Sequence, residues 1–194
     1  MAESLKLEVL DPPADSRHRF APIRYNEDDW DLTHLDSFAF KADIGFEVTV
    51  VVIFSCHCFS HSVRWDTRPQ SEIPEAEIYR DDREESVLDP LRYHLSKTLL
   101  RELVIALPSR HIIVANVKSR NFLTWEMQAK GGKQSIYAVF FDVEKDQRRG
   151  QRLILRVQSA YLLDQGLTRR QKDAKKVRLV TLLKAAYAGR TINP

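Results

Sequence analysis

Between Phe46 and Phe59 the chain is mostly apolar, and the β-branched run Val48-Thr-Val-Val-Val-Ile53 at its centre predicts a strand. Leu88, Leu91, Leu95, Leu99 and Leu103 then recur at steps of three and four, the buried stripe of a helix. Asp89-Pro90 starts that helix with an N-cap and a first-turn proline, and Pro108 stops it after Leu107. Further on, alternation predicts strands over 111–118, 121–128, 135–145 and 152–163. Short links at Gly131-Gly132 and Arg149-Gly150 make neighbouring strands antiparallel. A last helix is expected from Thr168 to Ala188, with Val177, Val180, Leu183 and Tyr187 at core spacing and Gly189 as its C-cap. Two segments lack either period. Residues 1–44, with Pro12-Pro13 and Pro22, read as an N-terminal arm or irregular cover, and residues 64–88, acidic and broken by Pro69 and Pro74, read as a mobile loop. The pattern as a whole predicts an α+β domain over 45–194, with an antiparallel sheet of about five strands packed against two main helices.

At 194 residues, 43% hydrophobic and 29% charged, the chain has the length and composition of one globular domain with its own core. No apolar run approaches the roughly 20 residues that span a bilayer, and the first residues lack the basic and apolar regions of a secretory signal, so no membrane is expected and a cytoplasmic setting is. Cys56 and Cys58 are one residue apart and do not readily bridge, and reduced thiols fit a reducing compartment. The net charge of +3 conceals a strong division. Residues 145–190 carry 13 basic against 3 acidic side chains, and residues 66–89 carry 9 acidic against 3 basic ones. Basic density of that kind suits a phosphate backbone, RNA above all, and the acidic loop 66–89 suits a protein partner or a lid over the basic surface.

The strongest concentration of reactive side chains is Cys56-His57-Cys58 with His61 just beyond. If the strand runs on to Phe59, alternation sends His57 to the face of Glu47, Thr49 and Ser55, away from both thiols. That separation weakens a metal site on Cys56, Cys58 and His61, which stays as an alternative, and no cofactor is called for. It leaves His57 as an acid or base near neutral pH. Arg92 falls on the buried side of its helix, where a guanidinium must find an anion or a carbonyl, and Ser96 lies on the flank of the same stripe. In the strand 152–163, alternation puts Ser159 and Tyr161 on the face of Leu153, Leu155 and Val157, with Arg156 on the other. Ser159 and Tyr161 then line a pocket beside Arg92 and Ser96, or simply bond across helix and sheet. On the strand 121–128, Glu126 reads as solvated.

The stretches Arg92-Tyr-His-Leu-Ser96, Tyr137-Ala-Val-Phe-Phe-Asp-Val143 and Leu155-Arg-Val-Gln-Ser-Ala-Tyr161, a helix followed by strands that end in a hydroxyl or aromatic residue, resemble the barnase, EndoU, colicin and RelE group of small ribonucleases. The resemblance covers residues 88–164 and implies a metal-independent endoribonuclease of the toxin or phage-encoded kind. Under it, His57 is the acid or base, Tyr161 a proton donor or stacking ring, and Arg92 or Arg156 the phosphate clamp. Ser96, Ser159, Arg169, Arg170, Lys172, Lys175 and Lys176 complete the substrate-binding set. The competing reading is a non-catalytic binding or regulatory protein, of antitoxin or adaptor type, that uses the same basic surface. A metal-stabilised interaction module is the third.

Overall fold

Asn26 and Glu27 both take positive φ, 46° and 70°, the backbone that a two-residue hairpin turn demands. They join β1 (Ile23–Tyr25) to β2 (Asp28–Trp30). This hairpin follows a short 3₁₀ turn at Ala14–Ser16 in the computed structural model, which describes residues 7–81, 84–116, 121–130 and 133–192. Next come β3 (Phe38–Asp43) and β4 (Glu47–Phe54), an antiparallel pair whose turn has Gly45 at φ 105°, where a side chain is strained. The supposed cover is thus part of the core. Trp30, Leu35, Phe38 and Phe40 are buried, and β3 is a full strand of the main sheet.

The acidic segment also carries strands. It forms a separate sheet from β5 (Ser60–Ser62), β6 (Ile78–Arg80) and β7 (Glu85–Leu88), in the order β5-β7-β6. Its charges meet internally: Arg68 pairs with Asp66 and Glu77 at 3.0 and 2.8 Å, and Arg80 pairs with Glu75 and Glu85.

Asp89 caps α1 (Pro90–Leu95) as expected, its carboxylate accepting from the N–H groups of Leu91 and Arg92. A π-helical turn, Ser96–Leu100, then inserts an extra residue before α2 (Arg101–Ile105). The buried stripe shifts with it. Leu91 is left 42% exposed, and Leu100, Leu103, Val104 and Leu107 occupy the core. Ser96 marks the shift: its hydroxyl donates to the Tyr93 carbonyl and accepts from His34 Nε2, each at 2.9 Å.

Burial lowers the His34 pKa from 6.5 to about 4. The unfolded chain therefore takes up this proton first, and stability falls as the pH drops through that window. Allowing for partial exposure of the ring, the loss attributable to His34 is about 2 kcal/mol. Unfolding free energies from urea titrations at pH 7 and pH 4.5 should converge by that amount in His34→Gln, which keeps a donor for Ser96.

After the helix follow β8 (Ile112–Asn116), β9 (Asn121–Lys130), β10 (Lys133–Lys145) and β11 (Arg152–Leu163), within a few residues of their expected bounds. The Gly131-Gly132 link and the Glu126 side chain lie outside the described residues. The expected final helix is broken in two. α3 (Arg169–Asp173) has a Thr168/Gln171 capping box, then Ala174 turns extended and β12 (Lys176–Val177) pairs with β8 before α4 (Leu179–Tyr187) begins. Val177 is buried by that pairing, a tertiary gain that outweighs helix continuity. Gly189, at φ 65°, does follow α4 as its terminator.

Among the described residues the main sheet has seven strands, in the order β12-β8-β9-β10-β11-β4-β3. The α+β class holds, but the sheet is mixed because β4 runs parallel to β11. One face carries most of the core, under the helices. The other holds a smaller cluster of Ile113, Ala138 and Leu167, with Trp125, Phe140, Leu163 and Ala174 against it. No helix among the described residues is long and apolar enough to cross a membrane.

Candidate functional site

Two local departures from regular strand geometry build the site. The first is at Ser55. Its N–H donates to the Val157 carbonyl at 3.0 Å and its hydroxyl to the Gln158 carbonyl at 2.5 Å, while the hydroxyl accepts from the His57 N–H at 3.2 Å. This ends β4 and caps a 3₁₀ turn over Cys56–Cys58. Strand alternation therefore does not apply to the Cys-His-Cys stretch. Cys56 and His57 are not held apart as the pattern implied. His57 Nε2 lies 3.1 Å from Glu84 Oε1, and Cys56 Sγ donates to the same oxygen at 3.7 Å.

The second departure is at Gln158. Phe140 faces Ser159 across the ladder and Phe141 faces Val157, so Gln158 is an extra residue, a bulge. Beyond it the parity of β11 reverses. Ala160 and Leu162 take up the core face, and Ser159 and Tyr161 turn to the opposite one. Simple alternation places those two on the face of Val157, and the bulge corrects this. Tyr161 there stacks on Phe140, with centroids 5.4 Å apart and planes at 19°.

His57, His61, Ser62, Trp65, Arg92, Ser159 and Tyr161 line one cavity of about 440 Å³. Arg92 meets the requirement inferred from its burial by donating to the Ser60 and His57 carbonyls at 2.8 and 3.2 Å. Its Nε lies 3.5 Å from Asp89, and its guanidinium carbon sits 4.6 Å from the Tyr161 ring centroid. His61 stands between Asp89, 3.4 Å from Nδ1, and Asp66, 3.2 Å from Nε2. The bond to Asp89 is the largest of the effects that raise its pKa. An NMR titration should place the His61 midpoint above 6.5, and Asp89→Asn should bring it back down.

Burial, helped by Glu84, pushes the Cys56 thiol up to about 12, and full burial raises Cys58 as well. Neither thiol is a nucleophile at neutral pH. Cys58 lies in the core and His61 is held by its two carboxylates, so the set Cys56, Cys58 and His61 is not brought together. Ser96 is buried against His34, away from the cavity. Arg156 reaches Glu144 at 3.5 Å and lines a different groove, with Tyr187 and Gly189, so it is no partner of His57. The pattern reading missed Trp65, Ser62, Asp66, Glu84 and Asp89. Of these, Asp89 reads in the sequence only as a helix cap, and Trp65 stands out as the tryptophan of an acidic stretch; it is 80% exposed.

The basic surface also divides. Arg149 and Arg152 bond to Asp15, and Arg148 and Arg152 to Asp146, so these three cations serve the fold. Arg169, Arg170, Lys172, Lys175, Lys176 and Arg178 are exposed or nearly so. Among the described residues only Arg169 has a carboxylate near it, Asp173 at 3.8 Å. Leu167 and Ala174, which flank α3, pack in the same cluster as Phe140, and Phe140 stacks on Tyr161. The free cations and the cavity therefore share one face of the sheet.

Residues 22–187 match the family model of the YjaZ family, which accounts for most of the chain. The chain belongs to the YjaZ family. Protein YjaZ of Escherichia coli (strain K12) is 28% identical over 131 residues, 68% of this chain and 66% of that protein, just under two thirds of its length. No solved structure matches. YjaZ membership overturns the resemblance to the barnase, EndoU, colicin and RelE ribonucleases. That resemblance rested on the order of a helix and four strands, an arrangement many α+β sheets share. The YjaZ match also starts upstream of β1 and takes in β1 to β4, outside the span on which the ribonuclease likeness was drawn.

Proposed function

We propose that this YjaZ-family protein binds single-stranded nucleic acid, RNA foremost, across the second face of its sheet. The observation that carries this is the shared face: exposed cations over 169–178 at one end and a cavity with Tyr161, Arg92 and Trp65 at the other, joined through Phe140. Cations of that kind hold phosphates by counterion release, and aromatic rings backed by guanidinium planes stack unpaired bases. Tyr161, held between Phe140 and Arg92, has no free face and forms the cavity wall, whereas Trp65 presents its ring to solvent and is the platform for a base. The acidic segment, with Arg68 and Arg80 already paired to its carboxylates, offers a protein partner less. A cytoplasmic setting accords with the two free thiols.

Binding without cleavage is the form of the proposal that the geometry favours. Nη1 and Nε of Arg92 are engaged within the protein, so this residue shapes the cavity wall more than it clamps a phosphate. The test is fluorescence anisotropy of a labelled oligoribonucleotide with the purified chain over a rising series of salt concentrations, with a gel of the same samples. The expected result is binding that weakens steeply with salt while the RNA stays intact. Absence of binding at the lowest salt overturns the reading, and RNA shortened in wild type but not in Tyr161→Phe replaces it with cleavage.

A further inference from the structure

The 3₁₀ turn at the end of β4 does something that no strand at this position can do: it aims two adjacent side chains at one point. Cys56 Sγ, a ring nitrogen of His57 and a carboxylate oxygen of Glu84 all lie within 4.8 Å of one another. Around a tetrahedral zinc, bond lengths of about 2.0–2.3 Å set an oxygen–nitrogen edge of about 3.4 Å and an oxygen–sulfur edge of about 3.6 Å. The corresponding separations are 3.1 Å for Glu84–His57 and 3.7 Å for Glu84–Cys56. Two of the three edges thus already match such an ion, and the third, between Cys56 and His57, is within 4.8 Å.

We propose that Cys56, His57 and Glu84 form a binding site for a divalent cation of the zinc class, with its remaining coordination position open. The donor set selects the ion. A sulfur, an imidazole nitrogen and one carboxylate suit a borderline-soft cation, whereas magnesium and calcium take shells of oxygen. Two of the ligands are set in place by the backbone: Ser55 caps the turn at His57, and the Ser60 hydroxyl donates to the Cys56 carbonyl at 2.8 Å. Glu84, 43% exposed at its side chain, closes the site from the strand β7 side. His57 lines the cavity with Tyr161, and Glu84 lines a second one beside it; Ser62 and Trp65 belong to both. The site thus borders two neighbouring cavities, through which water or an anionic oxygen can reach the open position. Binding displaces the Cys56 thiol proton, which leaves to solvent as the S–metal bond forms.

This site does not depend on nucleic-acid binding, and its test contains no nucleic acid. The full chain, stripped with a chelator, is titrated with Co²⁺ as the probe and back-titrated with Zn²⁺. The expected result is one equivalent of Co²⁺, with the near-ultraviolet absorption of a thiolate–cobalt bond and visible bands of tetrahedral strength, abolished by Zn²⁺. Cys56→Ser should lose the near-ultraviolet band, and Cys58→Ala should keep it. Glu84→Gln, a change at an exposed position that leaves the core intact, should weaken Co²⁺ binding by about tenfold or more. The proposal fails if no thiolate–cobalt absorption develops, if it survives Cys56→Ser, or if Glu84→Gln binds Co²⁺ as tightly as the wild type.

Discussion

Replacing Arg170, Lys172 and Lys175 together by glutamine is expected to lower the proposed affinity for single-stranded RNA by about 100-fold at about 0.1 M salt. Counterion release sets the size of the effect: each phosphate contact on a single strand contributes about 0.7 to the slope of log K against log salt, so three contacts account for about two decades between about 1 M and 0.1 M. The slope itself should become shallower by about 2. Folding should be unaffected, because none of the three side chains is buried and none has a carboxylate partner among the described residues. Arg148→Gln is the control. Its guanidinium bonds to Asp146, so its removal should leave the slope nearly as it was. A triple variant that binds with the wild-type slope would move the nucleic acid off this face.

The largest effect on stability should come from Arg152→Ala. Arg152 is 6% exposed and Asp146 3% exposed at their side chains, and the two are joined at 2.7 and 2.6 Å. A third member, Asp15, reaches Arg152 Nη1 at 2.7 Å from the segment ahead of β1. Truncating the arginine leaves the Asp146 carboxylate enclosed without its cation, at a cost of about 3 kcal/mol. Urea denaturation should show the loss as a lower midpoint with an unchanged slope. The same cluster depends on pH. Bonds from Arg152 and Arg149 hold the Asp15 carboxyl well below its ordinary range, and Asp146 is also lowered, against the opposing effect of its burial, by bonds from Arg148 and Arg152. Their stabilisation is present above the unfolded carboxylate pKa and is lost as the pH falls through the folded values. In Arg152→Ala that part of the acid sensitivity should shrink, and a variant with wild-type stability at pH 7 would show that the enclosed carboxylate finds another partner.

Much of this architecture is legible in the chain because it is local. Asp89-Pro90 caps a helix wherever it occurs in such a context, and the alternation over 152–163 yields a strand of those bounds. The need of a buried guanidinium for carbonyls is equally local in its logic, and Ser60 and His57 supply them. What pattern cannot supply is set by partners distant in sequence. The π-turn at Ser96 answers to His34, the break at Ala174 answers to the edge of β8, and the parallel pairing of β4 with β11 joins strands far apart in the chain. The site shows both sides. His57, Arg92, Ser159 and Tyr161 do line one cavity, yet the alternation argument misplaced His57 relative to Cys56 and Ser159 relative to Val157. In each case a single irregular residue, Ser55 or Gln158, changes the geometry, and its effect becomes visible only when β4 and β11 lie side by side.

The bulge at Gln158 makes the cavity a matter of counting. Hold the same residues in an unbroken ladder, without the bulge, and odd and even exchange roles from that point on. Ala160 and Leu162 would face outward and a tyrosine would be driven into the packed interior. Losing Gln158 itself would not do this: with Val157 followed directly by Ser159, regular alternation keeps Ser159 and Tyr161 turned away from the core. A lineage of such proteins could therefore shed that codon and keep its recess, because the recess needs the parity of Ser159 and Tyr161 relative to Val157 and not the residue that interrupts the ladder.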